Sequence, residues 1–157
     1  MKFIEDPYFD KCEDICNRYF EQFNDDVKWF RTLKRQPTES GIDYYCIDNK
    51  GRVCAVELKT RTNSIFAFET TFIEVEKFDR LMMQYTENDM IPLYMNFYQN
   101  GDYVGIFDLR EFQCPKMNTV KLFDKGHKEY KVEQRYLLEN RKSIYFEKVD
   151  NKFKRLW

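Results

Sequence analysis

The stretch Gly41-Ile42-Asp43-Tyr44-Tyr45-Cys46-Ile47-Asp48-Asn49-Lys50-Gly51-Arg52-Val53-Cys54-Ala55-Val56-Glu57-Leu58-Lys59 decides the fold of this chain. Two β-rich runs flank Asp48-Asn49-Lys50-Gly51, and Gly51 can take the left-handed conformation that closes a short hairpin loop. Side chains alternate faces along a strand. Glu57 and Lys59 therefore share a face with Val53 and Ala55, while Cys54, Val56 and Leu58 take the other. With a three-residue loop of Asn49, Lys50 and Gly51, Asp48 stands opposite Arg52 and Asp43 opposite Glu57. A two-residue loop would shift that register by one residue. Directly opposed residues hold their Cβ atoms roughly 4.5–5.5 Å apart, where two like charges destabilise a sheet. A divalent cation bridging both carboxylates reverses that penalty.

Lys59 lies one pleat further on the same face, placed to orient an attacking water or to steady charge on a phosphate in the transition state. Few carboxylates together with waters and phosphate oxygens suit Mg²⁺ (or Mn²⁺), which acts as a Lewis acid and helps generate hydroxide. Phosphodiester hydrolysis is the reaction implied. Glu-Leu-Lys on a strand is by itself an ordinary solvated pattern. Asp43 at the start of the paired strand, and the apolar run over residues 53–58, set it apart.

Upstream, Phe9, Cys12, Ile15, Cys16, Tyr19, Phe20 and Phe23 recur at close to helical spacing. This predicts a helix over residues 7–23, with Pro7 in its first turn and Asn24-Asp25-Asp26 breaking it. Residues 27–33 read as a short strand and 34–40 as a polar loop. Downstream, Thr71-Phe72-Ile73-Glu74 has the form of a capping box. A second helix is expected from there to about residue 86, burying Phe78, Leu81, Met82 and Tyr85. Ile91–Tyr98 and residues 103–109 read as strands joined at Asn100-Gly101. Residues 119–123, 129–138 and 143–149 are strand-like. The expected class is α/β: a mixed central sheet flanked by helices, in a single domain over residues 1–157, with a core at about 7–109 and a β-rich C-terminal extension at about 110–157.

Among 157 residues are 15 Phe, 11 Tyr and 2 Trp but only 5 Gly and 4 Pro, which favours a firm aromatic core over a loop-dominated or repetitive chain. The 26 basic and 27 acidic residues give a net charge of -1, which counts against tight non-specific nucleic-acid binding but leaves room for a local basic face. Cysteines stand at positions 12, 16, 46, 54 and 114, with no Cys-x-x-Cys pair. With no apolar leader near Met1 and no stretch able to span a bilayer, they read as reduced, mostly buried thiols in a soluble cytoplasmic protein. A lone His127 and the lack of a Gly-rich phosphate loop argue against a zinc site, a histidine-based triad and an NTPase.

Gly-Ile-Asp, a hairpin, then Val-Glu-Leu-Lys resembles the signature of the PD-(D/E)XK nuclease superfamily, which includes restriction endonucleases, archaeal Holliday-junction resolvases and many phage nucleases. The resemblance covers about residues 7–98. It implies a restriction-endonuclease-like core of helix, three strands, helix and strand. It also implies a Mg²⁺-dependent endonuclease acting on DNA, branched or structured DNA included, while the small size and the neutral, tyrosine-rich composition look phage-like or bacterial, the cell then being a bacterial or phage-infected one. It maps Asp43 and Glu57 onto metal-binding acids, the Leu58 main-chain carbonyl onto a further ligand, and Lys59 onto the catalytic lysine. Many members add a glutamate from the first helix to both metal binding and catalysis. Glu13 matches best and Glu21 next, an exposed helix charge being the alternative. Ile42 stands where the family name calls for proline, a residue that sets chain direction and contributes no ligand.

Thr60, Arg61, Thr62 and Asn63 follow Lys59 toward the phosphates. Lys77 falls where relatives often carry Lys or Gln near the site, and Gln84 lies two turns on. For Lys77 and Arg61 a solvated surface charge is the alternative. Residues 142–157, with Lys148, Lys152, Lys154 and Arg155, read as a basic DNA-facing edge or as a soluble end. Resolvase-like members are usually dimers because two cuts need two sites, which leaves a homodimer open here. The alternative function is an inactive nuclease-fold protein serving as a nucleic-acid-binding or virion-assembly module.

Overall fold

Helix α1 (Pro7–Val27) opens the computed structural model, which describes residues 7–157 except 65 and 125, with side chains from residue 13 onward. The expected core positions Phe9 and Cys12 thus lie outside the described side chains. The helix continues through Asn24-Asp25-Asp26 instead of breaking there. Asn24 is buried, and its amide serves both backbone groups of Phe30: Nδ2 donates to the carbonyl at 3.1 Å and Oδ1 accepts from the N–H at 2.8 Å. Lys28 then turns the chain with φ 56°. Strand β1 (Phe30–Arg35) consequently starts later than the predicted 27–33 stretch.

Strands β2 (Tyr44–Asp48) and β3 (Val53–Arg61) form the expected hairpin. Tyr44 pairs with Val56 and Ile47 with Val53, the register of a three-residue loop. Gly51 has φ 80° and donates its N–H to the Asp48 carbonyl at 3.0 Å. The Asp48 carboxylate fastens the turn, accepting from the Lys50 and Arg52 N–H groups at 2.9 Å.

Beyond β3 the chain departs from expectation. The supposed capping box is strand β4 (Thr70–Glu74). Thr71 Oγ1 donates to Asn140 Oδ1 at 2.7 Å and accepts from the Tyr98 hydroxyl at 2.6 Å, so it caps nothing. Helix α2 (Val75–Asn88) begins after Glu74, which makes no side-chain capping bond. Phe78 and Leu81 are buried and Met82 half-buried, but Tyr85 is 38% exposed, so the buried stripe is narrower than predicted.

Strand β5 (Ile91–Tyr98) runs parallel to β3, the one parallel pairing among the described residues. Strand β6 (Tyr103–Asp108) returns antiparallel to it. Strands β7 (Lys116–Asp124) and β8 (Glu129–Glu139) join β4 in a second, three-stranded sheet ordered β4-β8-β7. Strands β9 (Ile144–Val149) and β10 (Lys152–Arg155) complete the main mixed sheet, ordered β1-β2-β3-β5-β6-β9-β10. The expected series of helix, three strands, helix and strand therefore carries β4 as an added strand before α2. The stretch after residue 110 contributes strands to both sheets.

The main sheet is covered on both faces. Against α1, Phe20 and Phe23 pack with Cys54, Val56, Leu58, Met95 and Phe97. On the other face Ala55, Tyr94, Tyr98 and Tyr145 meet Ile73, Phe78, Leu81 and Leu138. A central parallel pair covered on both sides reads as a continuous apolar run, and every residue of β5 is buried. The basic C-terminal stretch supplies β9, which carries Lys148, and the far edge strand β10, which carries Lys152, Lys154 and Arg155, three and four strands from β3. It does not border the Asp43–Lys59 region. No described helix is long and apolar enough to cross a membrane.

Candidate active site

The paired register ends at Tyr44 and Val56, and Asp43 sits in the bend just before β2, donating its N–H to the Val56 carbonyl at 3.2 Å. Glu57 shares the face of Ala55, which belongs to the apolar cluster beneath α2, and Asp43 lies close enough to bond Glu57 and to feel the Lys77 charge. Asp43 Oδ2 accepts the Leu58 N–H at 2.8 Å, continuing the ladder where β2 stops. The N–H and C=O of one strand residue point the same way, so the Leu58 carbonyl faces the same opening.

Glu57 is only 6% exposed. Lys77 reaches down from α2, its Nζ 3.3 Å from Glu57 Oε1 and 3.7 Å from Glu74 Oε2. Burial first, and the Asp43 charge second, push the Glu57 carboxyl up to about 7 in spite of Lys77. Burial also holds Asp43 above its usual range, opposed by its bonds from Leu58 and Glu57. The pair therefore retains a proton close to neutral pH, resting on Glu57 and shared toward Asp43. Lys59, next on the same face, is held below its usual range by burial and then by Lys77, and forms no ion pair among the described residues.

A family model described as "Phage putative PDDEXK endonuclease" matches residues 13–148. The chain belongs to this family. No curated protein and no solved structure gives a match. PDDEXK nucleases generally use divalent metals, and the donors here suit one in number and type. Among the described residues no group of three or more His, Cys, Asp or Glu side chains is placed to hold a metal. Two neighbouring carboxylates and one carbonyl nevertheless match the sparse protein ligation of Mg²⁺. Burial disfavours the charged form of both carboxyls, with the Asp43 charge adding to it at Glu57, and a cation would relieve that cost.

The other expected residues of this PDDEXK chain divide. Glu13 pairs with Arg35 at 3.6 Å. Arg35 in turn acts on Asp43, and Glu13, Asp43, Glu57 and Lys59 all act on the buried Cys16 thiol, which burial chiefly pushes up to about 12. Glu13 is thus near the site without joining the two carboxylates. Glu21 is exposed and acts on Tyr44 instead. Thr60 is half-buried on the opposite face of β3. Gln84 accepts from Asn88 Nδ2 at 3.1 Å near the end of α2, and touches neither carboxylate. Arg61 is fixed internally, donating to Asn96 Oδ1 (3.0 Å), the Phe72 carbonyl (2.7 Å) and the Tyr94 hydroxyl (2.8 Å).

Three neighbours escaped the sequence reading. Arg80 acts on Glu57 and donates to the Gly41 carbonyl at 3.1 Å, tying α2 to the segment that carries Asp43. Its spacing of three from Lys77 on one helix face was the available signal. Glu74 was masked by its place in the apparent capping box. Asn96, a fully buried amide in an apolar strand, lies opposite Lys59, and its Nδ2 has no partner. A polar residue inside an apolar run could have flagged it.

Proposed function

We propose that this protein is a divalent-metal-dependent endonuclease hydrolysing phosphodiester bonds in DNA. The observation that supports it most is the Asp43–Glu57 carboxylate pair at the end of the hairpin, with Lys59 next to Glu57 on the same face of β3. Asp43, Glu57 and the Leu58 carbonyl would hold Mg²⁺ or Mn²⁺, which when bound supplies Lewis acidity toward phosphate and lowers the pKa of a water. The Leu58 N–H fixes the Asp43 rotamer, so little reorganisation is needed on loading. Lys77 sits against Glu57 in the metal-free protein and has Glu74 as a second partner to turn to. Lys59, without a counter-ion, is free to meet a phosphate oxygen or the attacking water. Glu13 contributes through Arg35, which links it to Asp43.

The competing reading, an inactive nuclease-fold binding or assembly module, draws on the lack of a third carboxylate beside the pair among the described residues and on Lys77 seated against Glu57. Labelled linear, nicked and four-way DNA incubated with Mg²⁺ or Mn²⁺ separates the two. Cleavage that disappears in Lys59→Ala protein supports the nuclease. No cleavage of any substrate, or equal cleavage by the variant, favours the module.

A further inference from the structure

We propose that the cleft between the end of β3 and the second sheet seats one unpaired nucleotide of a DNA strand laid across the Asp43–Glu57–Lys59 site, an inference that rests on the nuclease reading. The cleft has a volume of about 290 Å³, and its walls include Arg61, Asn63, Phe68, Phe72, Asn118 and Arg135. It adjoins the site directly. Arg61 is two residues past Lys59 on the same face of β3, about 7 Å along the strand.

The arginines define the charge of the cleft. The guanidinium carbons of Arg61 and Arg135 lie 3.9 and 3.7 Å from the centroid of the Phe72 ring. Two groups that close cannot share one face, so the ring is sandwiched between them. Arg135 is balanced by Glu133. Arg61 meets only neutral acceptors, and forms no ion pair among the described residues. A half-buried guanidinium held rigid by three bonds, with no counter-ion and with Nη1 lacking a protein acceptor among those residues, is a preorganised receptor for phosphate.

The rest of the wall suits a base. Phe68 is 66% exposed, and Asn140 anchors its backbone by donating Nδ2 to the Phe68 carbonyl at 2.9 Å. An uncovered ring on an anchored backbone offers a stacking platform for a base. The Asn63 and Asn118 amides can read base edges. A base inside a duplex has both faces stacked and its pairing edge occupied, so only an unpaired one can enter. The volume allows a single nucleotide.

Fluorescence anisotropy in chelator, where no cleavage occurs, reads this site separately from catalysis. The probes are a labelled single-stranded DNA, its blunt duplex, the same strand carrying abasic positions, and RNA of the same sequence. The intact protein should bind the single strand roughly ten-fold tighter than the duplex or the abasic strand, the effect of about one stacked base. Phe68→Ala and Asn118→Leu, both at exposed positions that the fold does not need, should each cut that preference several-fold, with folding confirmed by circular dichroism. Equal affinity for strand and duplex, or a preference untouched by both variants, overturns the proposal. RNA bound as tightly as DNA overturns the assignment to a DNA strand. Cleavage without single-strand preference refutes this inference alone, whereas single-strand preference without any cleavage refutes the nuclease reading alone.

Discussion

Glu57→Gln removes a buried charge while keeping the shape of the side chain, and its effect on stability has a definite sign. Burial and Asp43 raise the Glu57 carboxyl from 4.5 to about 7 in the folded protein. Between those values the folded state keeps a proton that the unfolded state has released. Stability of the metal-free protein therefore falls as pH rises through this window and levels off above it. At 1.36 kcal/mol per unit the full loss is about 3 kcal/mol. Going from pH 5 to pH 8 captures about 2–3 kcal/mol of it, because a little is already lost at pH 5. The Gln variant lacks this slope. Asp43, raised in the same sense, leaves a residual one in both proteins. Lys77, held above its usual range, attracts Glu57 only once the carboxyl is ionised, and that attraction is already contained in the Glu57 value of about 7, so the slope includes it. The measurement is equilibrium urea unfolding of both proteins in chelator at several pH values. The stability difference should move by about 2–3 kcal/mol in favour of the variant between pH 5 and pH 8. Parallel curves would show that Glu57 is not the strained acid described above.

Saturating Mn²⁺ or Mg²⁺ should raise the melting temperature of the intact protein, with about 2.7 kcal/mol gained at a hundred-fold excess over Kd. Asp43→Asn, which can still accept the Leu58 N–H, should lose that gain in the same thermal scan. Lys59→Ala should lower the cleavage rate about 10²–10³-fold on a labelled duplex or branched substrate with no drop in melting temperature, since its ammonium has no ion-pair partner among the described residues. Gly41 has φ 73°, and a Cβ there would lie 2.7 Å from Arg80 Cδ. Gly41→Ala should therefore cost about 1–2 kcal/mol, read from the urea midpoint.

The hairpin was legible because everything that sets it is local: alternation along two short runs, and one glycine able to adopt a left-handed turn. Asp43, Glu57 and Lys59 inherit their geometry from that register and were legible with it. Strand β5 was legible from its apolar run, interrupted at Asn96. Thr71-Phe72-Ile73-Glu74 misled because the same letters suit a helix cap and a strand. What decides is pairing with β8, Thr71 opposite Leu138, from far along the chain. The second sheet was hidden for that reason, and so was the cleft it forms with Arg61. Asn24 shows the same limit at smaller scale. An asparagine after an apolar stripe reads as a stop, but a buried amide that can serve both backbone groups of Phe30 lets the helix run on. Lys77 was picked out from its place on the helix, whereas Arg80 needed the contact with Gly41 to be seen.

A net charge of -1 and a polyanionic substrate are compatible if attraction depends on the state of the site. Around it stand Lys59, Arg61, Lys77, Arg80 and Arg135 against Asp43, Glu57, Glu74 and Glu133, a near balance with every carboxyl ionised. A proton on Glu57 tips the balance toward positive, and a divalent ion between Asp43 and Glu57 tips it further. The remaining bases are dispersed, those of the C-terminal strand lying at the far edge of the sheet. Counterion release grows with the number of phosphates neutralised, so such a surface gives weak, salt-tolerant contact with DNA away from the site. Affinity would then concentrate where the scissile phosphate, the metal ligands and the Arg61 cleft meet. On the nuclease reading, loading of the two carboxylates would set how tightly DNA is held as well as how fast it is cut.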